Sequence, residues 1–366
     1  MLKAVIAAAL LWSVLEARSS PQQASGSFSE QAARLINSIR MPEEQLGAVP
    51  TILHELELAL RTHWPGCDVI PFGSTVTGLA LLGSDIDAYV LLPDRSVPAH
   101  GPINYEVAQV LGQFPDYTDI RPSFYYVRCV HVPSQTRIDV HVNNLEGGRN
   151  SALLSYLLNL DDRVKILAII IKYWWNKLHI TEFKTVPSYG MSLMVIFYLQ
   201  QVNMLPPVRA LQTNAEHLVY EEWNSGFDEI DFKPRNNDSL YQLMGGFFDF
   251  YNDFNFDKHM ISPFIGHPVK LKLFEDLGSV PNEFECYRRN VAENIQKPVD
   301  LSGELYVQDP FVHNKNLAVS LSAQDSSLFK KELKRIALKY RENNENAFLD
   351  QILSVQVSLR IQSAKL

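Results

Sequence analysis

Phe72-Gly73-Ser74-Thr75-Val76-Thr77-Gly78-Leu79, with Gly83-Ser84-Asp85-Ile86-Asp87-Ala88-Tyr89-Val90 just downstream, is the stretch on which the fold turns. Residues two apart on a strand point the same way, so Asp85 and Asp87 share one face while Ile86 and Ala88 face the opposite layer. The strand continues as Tyr89, Val90, Leu91 and Leu92, which places both carboxylates where loss of water has to be compensated. Side by side, two such charges repel and shift each other's protonation, and cations relieve that repulsion. A second strand, Arg137-Ile138-Asp139-Val140-His141-Val142-Asn143, repeats the alternation with Ile138, Val140 and Val142 inward and Asp139 on the polar face. Three carboxylates on neighbouring strands suit two hard divalent ions, Mg²⁺ or Mn²⁺, which take oxygen ligands and keep substrate phosphates in their shell. Gly73 and Ser74, after a strand and entering a short helix, let backbone N–H groups approach phosphate oxygens. Taken singly, Gly73-Ser74 reads as a turn and Asp85/Asp87 as a solvated pair; at this spacing they read together as a phosphate and metal site.

Working outward, the pattern from Ser29 is helical, with Ala32, Leu35, Ile36 and Ile39 on one face and Pro42 as a stop. Pro50, tolerated at a first helical position, is expected to open a second helix burying Leu53, Leu56 and Leu60. Between Val69 and Val142 the period becomes two. From Asp161 to Leu178 the pattern predicts a helix capped by Asp161, with Val164, Leu167, Ile170, Ile171 and Trp174 buried. A further helix starts near Ser188, and helical periodicity marks Leu240 to Tyr251, Glu283 to Glu293 and Ser327 to Glu342. The expected class is α/β + α, a small mixed-sheet unit joined to a larger, mostly helical one.

The chain of 366 residues, 46% hydrophobic, suits two domains with buried cores. Cys67, Cys129 and Cys286 have neither disulfide nor zinc spacing, which implies a reducing compartment. A net charge of −8 disfavours coating of long nucleic acid, so any RNA is expected to be gripped locally, at one end. The cluster Lys330, Lys331, Lys334, Arg335 and Lys339 reads as a solvated helix face. Residues 1–27 read as a leader or flexible segment: Lys3 and the apolar run Ala4 to Leu15 resemble a signal peptide, anchor or mitochondrial leader, but the run is shorter than the roughly 20 residues of a spanning helix.

Gly-Ser, Asp-x-Asp and a later strand Asp together resemble the nucleotidyltransferase fold of the DNA polymerase β superfamily. Segments downstream resemble terminal uridylyltransferases and their sister group, the cytoplasmic and mitochondrial poly(A) polymerases, over residues 29 to 320. The resemblance implies a catalytic domain over residues 48–145 and a helical central domain over 28–47 and 146–366, with the active-site cleft between them. It implies template-independent transfer of UMP from UTP to an RNA 3′-hydroxyl by two metals on Asp85, Asp87 and Asp139, with ATP as the alternative substrate and an inactive RNA- or nucleotide-binding homologue as the minor one. A cytoplasmic, or else mitochondrial, monomer without a stable membrane partner is expected.

Residue by residue, Phe72, Gly73 and Ser74 match the phosphate loop, and Asn150-Ser151 resembles the position where an Asn contacts the ribose 2′-hydroxyl. Lys172 resembles the helix lysine that holds the triphosphate, its long side chain able to reach outward from the apolar face. Ser188-Tyr189-Gly190 is similar to the motif whose Ser binds phosphate and whose Tyr stacks on the base. Gln308-Asp309-Pro310-Phe311 resembles the nucleotide recognition motif. Two departures stand out: Asn176 occupies the place of a second lysine, with Lys177 one residue on, and Lys315 stands where uridine-selecting members carry His, with His313 two residues earlier. A lysine only donates, which suits uracil O4 and opposes the adenine amine, so Lys315 and His313 point to UTP.

Overall fold

The computed structural model describes residues 26–354 except 95, 144, 179–185, 217 and 221, so most of the leader expected over 1–27 lies outside the described residues. Five strands, β1 (Asp68–Phe72), β2 (Ile86–Leu91), β3 (Tyr117–Pro122), β4 (Val127–His131) and β5 (Thr136–Val142), form one sheet in the order β1-β2-β5-β4-β3. The β2/β5 pair is parallel and the other pairs are antiparallel. Alternation sorts the side chains as expected. Ile86, Ala88, Val90, Val127, Cys129, Ile138, Val140 and Val142 are buried in one core, which leaves the intervening residues on the opposite, polar face.

Helices α1 (Phe28–Ile39), α2 (Glu43–Arg61), α3 (Ser74–Thr77) and α4 (Pro102–Leu111) precede or interrupt these strands. α2 and α4 cover the apolar face of the sheet, through Ile52, Leu53, Leu56 and Leu60 from one and Ile103, Val107 and Leu111 from the other. The expectation that Pro50 opens a helix is corrected: α2 starts at Glu43, directly after Pro42, and carries Pro50 inside it. An interior proline costs about 3 kcal/mol. Burial of Val49, Ile52, Leu53, Leu56 and Leu60 on one side of the same helix outweighs it. α2 therefore runs unbroken through the boundary expected between residues 47 and 48.

The remaining helices are α5 (Leu145–Leu158), α6 (Asp162–Lys177), α7 (Ser188–Gln201), α8 (Val208–Leu211), α9 (Leu240–Asp253), α10 (Glu285–Ala292), α11 (Ala323–Arg341) and α12 (Glu345–Leu353). α10 is shorter than its sequence pattern predicts, because Asn282–Phe284 forms a tighter 3₁₀ turn before it. Asp161 caps α6 by accepting from the Arg163 N–H at 2.9 Å. α7 is buried on all sides from Gly190 to Gln200, as an apolar helix without a polar stripe must be. α1 joins this helical body, Phe28 lying 5.7 Å from the Tyr241 ring and 6.1 Å from Phe348. A smaller third cluster gathers Trp223, Met260, Phe264, Phe284 and Tyr287. Three basic residues of α11 are paired: Lys330 with Asp257 at 3.4 Å, Arg335 with Glu332 at 2.8 Å and Lys339 with Glu342 at 2.7 Å. No helix among the described residues is long and apolar enough to cross a membrane.

α5 couples the two bodies. Its second pair of residues, Gly147 and Gly148, presses backbone against Phe72 and Tyr89 of the sheet, while Leu153, Leu154, Leu157 and Leu158 enter the helical core. α9 and α11 meet just as closely at Gly245, where an added Cβ would run into the ring of Tyr340. Overpacking of this kind costs about 1–3 kcal/mol. Gly245→Ala is expected to lower the thermal midpoint by several degrees, whereas the same change at Gly47, where a Cβ meets no atom within 4 Å, should raise it or leave it level; calorimetry on both variants distinguishes the two environments.

Candidate active site

In-register neighbours on adjacent strands project from the same face of a sheet. Phe72 lies opposite Asp87, Asp87 opposite Asp139, Asp139 opposite Arg128, and Arg128 opposite Arg121. One row across all five strands thus carries two carboxylates and two guanidiniums, with Asp85 immediately before β2. Arg128 grips Asp139 with both ends of its fork, Nε to Oδ1 at 2.8 Å and Nη2 to Oδ2 at 2.7 Å, and reaches Asp85 at 3.7 Å. Arg137 pairs with Asp85 at 2.6 Å.

Asp87 has no such guanidinium. Burial first, then the charges of Asp139 and Asp85, push its pKa up to about 7, against a weaker opposing pull from Lys172. Oxygen-only donors, mutual repulsion and a buried carboxylate held close to neutrality fit divalent cations at Asp85, Asp87 and Asp139. Among the described residues these groups are not drawn into a ready-made metal cluster. The guanidiniums already engage Asp139 and Asp85.

Gly73 has φ +73° and lies directly against the Asp87 carboxyl, which an added Cβ would strike, so both the backbone conformation and the space require glycine. Ser151 holds this loop: its Oγ accepts from the Gly73 N–H at 2.7 Å and donates to the Gly147 carbonyl at 2.8 Å. Ser74 opens the single turn α3. Lys172, expected to reach outward, is instead 7% exposed and donates to the Leu79 carbonyl at 2.9 Å. α6 packs its lysine beneath the glycine loop, and burial lowers the ammonium pKa to about 8 while nearby Asp87 raises it. Asn176 is exposed, and the Lys177 ammonium sits 5.2 Å above the Tyr173 ring.

A second group of polar residues lies where α5, α7 and the 309–316 loop meet. Asp309 is fully buried and accepts from the N–H groups of Phe311 at 2.9 Å and Val312 at 3.0 Å. Asn150 Nδ2 donates to it at 3.4 Å. Burial and the charge of Glu146 push Asp309 up to about 6. The half-buried Tyr189 turns its hydroxyl towards Asp309 without a hydrogen bond of regular geometry, and burial with that carboxyl drives the phenol well above its ordinary pKa. Ser188, beside it at the start of α7, is exposed.

Lys315 reaches across to an ion pair with Glu146 on α5. His313 does not face this group, which corrects its expected role in reading the base. The loop turns its ring inward, 4.2 Å from Phe264 and near Phe284 and Trp223, with Nε2 3.3 Å from the Pro310 carbonyl. Burial lowers its pKa to about 4, so it is a neutral core histidine.

The sequence reading passed over Arg128, Arg137 and Glu146. Arg128 was open to detection, since it is the charged residue in Val127-Arg128-Cys129, where alternation puts it on the face shared with Asp139. Glu146 carried no local signal, because its partner is 169 residues away.

Residues 28–159 match the family model described as "Poly(A) RNA polymerase, mitochondrial-like, central palm domain". The chain is similar to the Speckle targeted PIP5K1A-regulated poly(A) polymerase of Danio rerio, 24% identical over 361 residues covering 84% of this chain and 44% of that protein. It is also similar to the terminal uridylyltransferase cid1 of Schizosaccharomyces pombe, 28% identical over 240 residues covering 61% and 58%. The chain spans about half the length of the curated relatives it matches. Among solved structures, mtPAP in complex with ATPγS matches with a TM-score of 0.74 at 19% identity, covering 90% of this chain and 73% of that one. The Cid1 poly(U) polymerase with Mg and 3′-dATP bound matches with a TM-score of 0.71 at 22% identity, covering 89% and 98%. The α/β + α architecture is the nucleotidyltransferase fold of those structures, and the resemblance carried by Gly73-Ser74 and the three aspartates holds.

The raised pKa of Asp87 has a signed consequence for the metal-free protein. The folded state binds this proton more tightly than the unfolded one, so stability is lost as pH rises from the ordinary carboxylate range to about 7, and the loss is complete above it. Asp87→Asn removes that loss. In a chelating buffer the variant should melt above the wild type by a margin that widens from pH 5 to 7 and then levels; a margin independent of pH would contradict the buried charge.

Proposed function

We propose that this chain, a relative of the poly(A) polymerases and terminal uridylyltransferases, transfers nucleotides without a template from a ribonucleoside triphosphate to the 3′-hydroxyl of RNA. The observation that carries the reading is the register of Asp87 with Asp139, with Asp85 two residues before and Gly73 pressed against Asp87. In this reading the RNA 3′-oxygen attacks the α-phosphorus in line, a phosphodiester bond forms, and pyrophosphate leaves. Asp85, Asp87 and Asp139 would hold two divalent ions, Mg²⁺ or Mn²⁺, which would lower the pKa of the 3′-hydroxyl and offset the charge of the triphosphate and leaving group.

The rest falls to the chain's own side chains. The tight loop at Gly73-Ser74 lets phosphate oxygens approach the backbone, Ser151 fixes that loop from behind, and Lys172 holds the chain that follows α3 at the Leu79 carbonyl. Ser188 at the start of α7 is a phosphate donor on the other wall of the cleft. Tyr189 offers its ring to the base while its hydroxyl stays with Asp309, and Asn150, tied to Asp309, contacts the ribose in this reading. Asn176 and Lys177, at the far end of α6, have a weaker claim on the triphosphate than Lys172. The proposed site is the cytosol, or else the mitochondrion, consistent with three unpaired cysteines.

UTP is the preferred nucleotide in this reading, through Lys315. An ammonium beside Asp309 donates to uracil O4 and meets the adenine amine donor against donor. A second reading, ATP, draws on the pairing of Lys315 with Glu146, which commits the ammonium elsewhere. Incubating a labelled short RNA with Mg²⁺ and each triphosphate in turn tests both. Extension is expected, strongest with UTP, and Asp139→Ala should abolish it while remaining folded; extension that survives Asp139→Ala, or RNA bound but never extended, refutes the transferase reading.

Lys315→Ala should move the UTP/ATP ratio of kcat/KM towards ATP by about tenfold, since a hydrogen bond from a charged donor is worth about 1.5–3 kcal/mol. A ratio unchanged within about twofold assigns selection to other residues and removes the basis for UTP.

A further inference from the structure

We propose that the turn between β3 and β4 is a stacking platform for the single-stranded acceptor, contacting bases upstream of the reacting 3′ end. The proposal rests on RNA being the acceptor. Among the described residues, the aromatic side chains that stand out as exposed are Tyr105, Phe124 and Tyr125, at 54%, 58% and 60%. Two of these belong to this turn, and Tyr105 follows directly after the residue that anchors it. Phe124 and Tyr125 meet edge to face at 5.1 Å, and the His100 ring joins them at 6.0 and 5.3 Å.

The rings are held out by a rigid backbone. Ser123 N–H donates to the Tyr126 carbonyl at 2.9 Å, and Ser123 Oγ accepts from the N–H of Tyr126 at 3.1 Å. Asn104, with 0% exposure, donates from Nδ2 to the carbonyls of Ser123 at 3.2 Å and Phe124 at 2.8 Å, and the Gly101 N–H donates to the Phe124 carbonyl at 2.8 Å. A buried amide therefore fixes a turn whose two largest apolar side chains point to water. Fixing a turn explains the amide and leaves the exposed rings without a structural role.

Position and charge name the occupant. β3 and β4, which the turn joins, carry Arg121, paired with Asp119 at 2.7 Å, and Arg128 in register, on the row that holds Asp139 and Asp87. The Arg128 guanidinium lies 5.6 Å from the Tyr126 ring centre while holding Asp139, and Tyr126 in turn stacks on His141 at 5.3 Å and 28°. One arginine and then a series of flat rings thus lead from the carboxylates outward to the turn. That mixture suits single-stranded nucleic acid, since every base presents a π-face and each linkage a phosphate.

The test is binding without turnover: anisotropy of a labelled single-stranded RNA with the full chain in the absence of nucleotide, beside a duplex of the same sequence. Phe124→Ser/Tyr125→Ser should weaken single-strand binding by about tenfold or more and raise the KM for RNA rather than that for nucleotide. Phe124→Trp/Tyr125→Trp, which keeps flat rings, should bind as the wild type does. Both pairs are exposed, so equal melting temperatures verify folding. Unaltered binding by the serine variant, or equal weakening on duplex, overturns the platform, as does a serine variant that extends RNA with wild-type KM, which leaves the rings for a protein partner. A chain that binds RNA through these rings but extends none refutes the transferase reading alone.

Discussion

Three carboxylates crowded onto one face of a small sheet are the constraint to which the surrounding structure answers. Asp85, Asp87 and Asp139 repel one another in a partly buried setting, so each needs a cation or a proton. Arg137 and Arg128 provide cations for Asp85 and Asp139, and Asp87 is left to hold its proton close to neutrality, with Lys172 beneath it. The parallel pairing of β2 with β5 is what sets Asp87 beside Asp139 at all. The apolar backs of those same strands, Ile86, Ala88, Ile138 and Val140, anchor them in the core under α2 and α4.

A second constraint is how closely the helical body approaches the sheet. Gly147 and Gly148 let α5 lie directly on Phe72 and Tyr89, which brings Asn150 and Ser151 within reach of both halves. Ser151 then ties the Gly73 loop, and Asn150 ties Asp309. One helix thereby fixes the Gly73 loop and the polar group around Tyr189 relative to each other. The ion pair of Glu146 with Lys315 adds a further link, from the first turn of α5 to the loop after Phe311.

The sheet and its carboxylate face were legible because strand periodicity is local: Ile138-Asp139-Val140 declares its own two faces without knowledge of any partner. The Asp161 cap and the buried face of α6 were legible for the same reason. Pro50 misled because the rule for proline concerns backbone geometry alone, while the burial of Val49, Ile52, Leu53 and Leu56 along one side of α2 decided where the helix ran. Lys172 misled in the other direction. A long charged side chain beside an apolar stripe ordinarily reaches water, yet here a backbone carbonyl and a nearby aspartate receive it inside.

What the sequence by itself determined, then, is what recurs within a few residues: the alternation of the strands, the helix caps, the glycine demanded at position 73 and the presence of three aspartates on polar faces. Tertiary structure alone decided which distant groups meet. His313 and Lys315 are two residues apart, yet the turn around Asp309 sends one ring into the Phe264–Phe284 cluster and the other side chain across to Glu146. Likewise Arg128 becomes the partner of Asp139 only through the register of β4 with β5. The physical reason is that periodicity and capping are fixed by neighbouring peptide units, whereas an ion pair or a buried ring depends on which surfaces come together once the apolar faces have been packed.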